Sequence, residues 1–164
     1  MGVRITVPSP FHIRDAAKTD LRAIAQIQLK GFERTYGSII SPAQMAERSV
    51  DKRLPIWERW HTDPGNLILV GGETTETPQG FLFGGHVKDH DFISGNCDGF
   101  DCEIYSLHTL KEMHGKGLGR ALIAAAAERW QQLGRKALVI WAYRDNEFRR
   151  FYERLGGTLV AEGI

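Results

Sequence analysis

The sequence predicts an α/β (α+β) fold, a central mixed sheet with helices packed against it. Three observations carry that reading. Apolar runs of strand length recur at 66–70, 80–87 and 102–110. Between and after them lie stretches with helical spacing, the clearest being Leu118, Leu122, Ala125, Ala126, Arg129, Trp130 and Leu133. The composition, 42% hydrophobic and 25% charged over 164 residues, suits one globular core that needs no disulfide or metal staple. The expected organisation is a single domain over 1–164 with a loose, proline-containing tail at 1–10.

Each element has a local cause. Phe11-His12-Ile13-Arg14 alternates apolar and polar residues as a half-buried strand does. Asp20 is the expected cap of a helix in which Leu21, Ile24, Ile27 and Gln28 share a spacing that runs on to Phe32 and Tyr36 and stops at Gly37. Ser41-Pro42 starts a second helical region, expected to be interrupted at Pro55 and to close around Trp57 and Trp60. The runs 66–70 and 80–87, joined by a Gly/Thr/Pro-rich linker, read as a hairpin. The segment 88–101, rich in Asp, Gly, Ser and Asn, reads as a loop leading into a strand at 102–110. After the Ala-rich helix and its stop at Gly134 come a strand at 136–143, a short helix through Phe148, Phe151, Tyr152 and Leu155 with Asp145 as its cap and Gly156-Gly157 as its stop, and a last strand at 158–161.

Several classes of function are excluded. A formal net charge of +1 provides no basic face for nucleic acid. No apolar run approaches the about 20 residues of a membrane span, and the start lacks a signal-peptide core. Cys97 and Cys102 are the only cysteines, and His86, His90, His108 and His114 have no metal-ligand spacing, so reduced thiols, a cytoplasmic location and no metal site are expected. The acidic residues Asp89, Asp91, Asp98 and Asp101 either attract a cationic molecule or simply solvate the loop.

The most informative stretch is His114-Gly115-Lys116-Gly117-Leu118-Gly119-Arg120, which joins the strand at 102–110 to the Ala-rich helix. Glycines at alternate positions let backbone N–H groups converge without side-chain obstruction. The positive end of the helix, with Lys116 and Arg120, attracts phosphate. A pyrophosphate is the natural guest. A P-loop needs a glycine where Leu110 stands and a Ser or Thr where Gly117 stands, so it is ruled out. A dinucleotide fingerprint needs its third glycine one place later and an acidic residue about 20 residues on, where this chain is apolar.

The segment resembles the acetyl-CoA motif of the GNAT superfamily, with His114 in the first place and Gly117 and Gly119 in the glycine places. The order of elements from Ile13 to Val160 is also similar to that family's, and Asn146-Glu147-Phe148 through Leu155-Gly156-Gly157 looks like its second signature. Two departures stand out: His114 replaces a Gln or Arg, and the chain reaches Ile164 where family members continue into a further strand. The resemblance implies a twisted, mostly antiparallel sheet with about four flanking helices, and transfer of an acetyl group from acetyl-CoA to a primary amine in a ternary complex. It implies cofactor contacts from the backbone of Leu107, His108 and Thr109, from residues 114–120 and from Asn146, whose alternative role is to cap the helix. Glu103 becomes the general base and Tyr152 the general acid, against the plainer readings of a paired strand carboxylate and a packed aromatic. Tyr36 and Trp57 are placed at the acceptor wall, or otherwise in the core. The acceptor is a small-molecule or peptide amine. The rivals are a non-catalytic acyl-CoA-binding module and an assembly component, such as a homodimer, in which an open sheet edge recruits a strand.

Overall fold

The computed structural model describes residues 10–89, 99–142, 146 and 148–160. The tail at 1–9 and the readings that fell on His90, Asp91, Cys97, Asp98, Tyr143, Asp145 and Ala161 lie outside those residues. Five strands form one sheet in the order β1 (His12–Asp15), β2 (Leu67–Gly72), β3 (Gly80–Gly85), β4 (Cys102–Thr109) and β5 (Leu138–Ile140). Neighbours are antiparallel except β4 and β5, which run parallel because α4 (Leu118–Gln132) carries the chain back between them.

Strands β2 and β3 are buried at every position, which explains why their sequences read as continuous apolar runs rather than alternations. One face packs on α1 (Leu21–Tyr36) and α3 (Val50–Thr62), where Leu21, Ile24, Ile27, Trp57, Ile68, Val70, Phe81 and Phe83 form a cluster. The other face packs on α4, through Leu67, Leu69, Leu82, Ile104, Leu118, Leu122, Ala126 and Trp130. α4 stops at Leu133, and Gly134 follows in the left-handed conformation (φ 78°) that a side chain would resist.

The expected architecture holds, with four local corrections. Pro55 does not interrupt its helix: it is the sixth residue of α3, which continues without the hydrogen bond its nitrogen cannot donate. The break falls earlier, after the short helix α2 (Pro42–Ala46), where Ser49 Oγ accepts the Lys52 N–H at 3.2 Å and starts a new helix; with α5 (Arg149–Arg154) the described residues hold five α-helices. Trp57 is fully buried, its indole N–H donates to Gln28 Oε1 at 3.2 Å, and its ring meets those of Trp60, Phe81 and Phe83 at 5.1–5.3 Å. It belongs to the core and not to an acceptor wall. The last strand is absent from 158–160, where Leu159 and Val160 are exposed.

Asp20 also differs from expectation. It precedes α1, but its carboxylate turns back to accept the Ala17 N–H at 2.7 Å and both terminal nitrogens of Arg14 at 2.6 and 3.0 Å. The Arg14 hydrogen bond outweighs burial and holds the Asp20 carboxyl below its ordinary value of 3.8. A carboxyl lowered by folding contributes its stability above the unfolded value and loses it as pH falls through the folded one. Asp20→Asn should therefore cost about 1–3 kcal/mol at pH 7, and thermal melts should show the gap to wild type closing below pH 3.8.

Candidate active site

The sequence of β4 is out of step with a plain strand. Pairing with β3 runs Thr109 to Gly80, His108 to Phe81, Leu107 to Leu82 and Ser106 to Phe83, then resumes with Ile104 to Gly84, leaving Tyr105 as an extra residue. The bulge changes the parity of the strand. Because Phe81 and Phe83 face α1 and α3, so do His108 and Ser106; Tyr105 packs on Phe83 on the same side, and Glu103 sits opposite Gly85 there. Four polar side chains thus share one face, while Cys102, Ile104 and Leu107 join the α4 core.

The other edge of β4 is only partly covered. Parallel pairing with β5 extends over Cys102, Glu103 and Ile104 alone. The pair is fastened at its start by Asp101, whose carboxylate accepts the N–H groups of Lys136 and Ala137 at 2.9–3.2 Å. Asp101 is therefore a tether between the strands, not part of a free acidic cluster. Among the described residues the ladder to β5 ends at Ile104, and none accompanies Leu107, His108 and Thr109.

Strand β4 leads on to the glycine loop. Residues Lys111–Met113 make one 3-10 turn, His114 follows, and Gly115 and Gly117 adopt φ of 75° and 94° before α4 begins at Leu118. A Cβ at Gly115 or Gly117 would touch nothing, so glycine is needed there for backbone conformation alone. The first-turn N–H groups of Leu118, Gly119 and Arg120 have no carbonyl one turn back to accept them. Lys116 and Arg120 are exposed beside them, whereas the Leu118 side chain is wholly buried.

Helix α5 closes over this loop. Phe148 lies edge-on to His114 at 5.6 Å, and a Cβ at Gly119 would come within 3.2 Å of the Phe151 ring. Asn146 Oδ1 accepts the Phe148 N–H at 3.0 Å, which is the capping geometry of its two predicted roles. Tyr152 packs beside Phe151 and lines a cavity of about 510 Å³ between β5, α5 and residues 155–160. Tyr36 is half-buried and stacks on Phe32 at 4.9 Å.

The FR47-like protein family matches residues 96–163. The chain is 26% identical over 150 residues to the uncharacterized N-acetyltransferase YuaI of Bacillus subtilis, covering 92% of this chain and 82% of that one. A putative acetyltransferase from Pyrococcus furiosus superposes with a TM-score of 0.70 at 20% identity, over 94% of this chain and 97% of that chain. The PaiA N-acetyltransferase from Thermoplasma acidophilum, solved in complex with coenzyme A, gives 0.68 at 18% identity, over 90% and 88%. The chain is thus similar to FR47-like proteins over 96–163 and shares its fold with acetyltransferases. The donor set at the head of α4 fits coenzyme A: a glycine cradle of backbone N–H groups flanked by two cations, at the end of β4. Among the described residues no cluster of His, Cys, Asp and Glu could hold a metal, and no helix is long and apolar enough to cross a membrane.

Burial shapes the chemistry of the site. Glu103 is 2% exposed and accepts the Lys88 N–H at 2.8 Å. Burial, with the Glu103 charge adding to it, pushes the Tyr105 phenol up to about 12; its hydroxyl donates to the His86 carbonyl, and the Lys88 ammonium lies 3.6 Å from its ring centroid. Burial also raises Tyr152, keeping it a proton donor. Cys102 rises to about 11 by burial, making it an inert core thiol. Burial, with Arg34 nearby, lowers His108 to about 4. The sequence reading missed Ser106, Lys88 and Arg34, and it assigned His108 by backbone alone. One signal was available: Gly31 stands mid-helix in α1, and a Cβ there would overlap the His108 ring.

A histidine held neutral by folding leaves the unfolded chain binding an extra proton below pH 6.5, so stability falls as pH drops from 6.5 toward 4. In urea unfolding, wild type should lose about 1–2 kcal/mol more than His108→Gln between pH 7 and pH 5.

Proposed function

We propose that this protein is an N-acetyltransferase that moves the acetyl group of acetyl-CoA to a primary amine by direct attack in a ternary complex. The observation that carries the reading is the end of the described β4–β5 ladder at Ile104, on the strand that leads into the glycine cradle at the head of α4. An extended pantetheine arm lying along Leu107, His108 and Thr109 would meet backbone donors and acceptors as an added strand does. Its diphosphate would fall on Gly115–Arg120, with Lys116 and Arg120 supplying charge.

The polar face of β4 supports an amine acceptor. Glu103 is a buried carboxylate beside the Tyr105 phenol, suited to take a proton from an ammonium directly or through water. Tyr152, kept protonated by burial, is suited to protonate the departing sulfur. A backbone N–H of β4 at the bulge is the natural donor to the carbonyl oxygen as charge develops on it. Tyr36, half-buried near the C-terminal end of α1, stays a candidate for the acceptor wall.

Two measurements test the reading. Isothermal titration should give tight acetyl-CoA binding to wild type and at least about 100-fold weaker binding to the Lys116→Glu, Arg120→Glu double variant, whose exposed sites leave the core untouched. No binding to folded wild type overturns the reading. With an amine found by screening, Glu103→Gln and Tyr152→Phe should each lower kcat by about 100-fold with little change in KM for acetyl-CoA. Binding without turnover of any amine would favour a non-catalytic acyl-CoA-binding module.

A further inference from the structure

We propose that Arg34, on α1, is a phosphate-binding residue of the coenzyme site and grips the diphosphate jointly with His114. The proposal rests on the coenzyme reading above and adds a residue 80 positions away from the loop in sequence.

Arg34 Nη1 lies 3.1 Å from His114 Nε2, and Nη2 reaches the Thr109 carbonyl at 3.4 Å. The guanidinium therefore spans the end of the open strand and the start of the glycine loop, where the arm of the coenzyme would pass into its phosphates. It reaches this point because Gly31, one turn earlier on the same helix face, lets α1 settle onto the His108 ring.

Among the described residues the charge of Arg34 meets no carboxylate. Arg14, Arg22, Arg129 and Arg149 each meet a carboxylate, but among the described residues Arg34 has none within 4.0 Å. It is exposed at the mouth of the site. An arginine can only donate, so its contact makes His114 Nε2 the acceptor and leaves the ring proton on Nδ1, a second donor beside the loop. Arg34, His114 Nδ1–H, Lys116, Arg120 and the first-turn N–H groups of α4 then form a set made of donors, matched to a ligand whose phosphate oxygens only accept. Within 111–120 the one carboxylate is Glu112, against Lys111, Lys116 and Arg120.

The test compares Arg34→Met with wild type against three ligands: coenzyme A, 3′-dephospho-coenzyme A and pantetheine. Isothermal titration should show about tenfold weaker binding of the first two, with a shallower dependence of log Kd on log salt concentration. Pantetheine, which has no phosphate, should shift the NMR spectra of both proteins with the same affinity. Unchanged coenzyme A binding overturns the proposal, and so does an equal loss for pantetheine, which would mark Arg34 as merely shaping the strand edge. A loss for coenzyme A that vanishes with the dephospho form would place Arg34 on the 3′-phosphate instead. Wild type binding none of the three would overturn the coenzyme reading itself.

Discussion

Strand β4 is paired along one whole edge and, among the described residues, along three residues of the other, and the candidate site is built on that asymmetry. The Asp101 carboxylate, holding the Lys136 and Ala137 amides, fixes where the two strands are joined. Since β4 and β5 are parallel, the chain must cross over between them, and α4 makes that crossing with its N-terminus at the open end. Hydrogen-bonding capacity left on a strand edge and on a helix end is thereby brought to one place.

The surroundings of that strand differ in chemistry. The loop side offers donors and positive charge, while the face of β4 toward α1 and α3 carries a carboxylate, a phenol, a hydroxyl and an imidazole. Such groups survive in a mostly apolar setting because each has a local reason: Glu103 is held by the Lys88 amide, Tyr105 by the His86 carbonyl, and His108 is kept neutral. The aromatic cluster around Trp57 underlies this face, so the residue first placed at an acceptor wall instead supports the sheet.

What could be read from sequence was local. Alternate glycines after an apolar strand foretold the loop, and Gly115 and Gly117 do adopt left-handed conformations; the spacing of Leu118, Leu122, Ala126 and Trp130 foretold the buried stripe of α4. What could not be read was relational. Pro55 looked like a break because its neighbours' packing on Phe81 and Phe83 is invisible in the string, and that packing holds α3 together around it. Asp20 looked like a cap because Arg14, six residues earlier, competes for its carboxylate only once β1 and α1 meet. Of the strand expected at 136–143, the described part in the sheet is Leu138–Ile140, the three residues that pair with Cys102–Ile104.

The extra residue in β4 gives the strand a phase. Up to Ile104 the polar positions are odd-numbered, and from Ser106 they are even, so the strand changes register with itself at Tyr105. Removing one residue between 104 and 107 would take out the bulge and leave a regularly alternating strand in which Glu103 and His108 keep one face, Ile104 and Leu107 the other, and one polar group is lost. The extra residue is thus what lets Tyr105 and Ser106, neighbours in the chain, stand on one side together. Substitutions there alter one group at a time, whereas a change of one in the count sets how many groups the working surface holds.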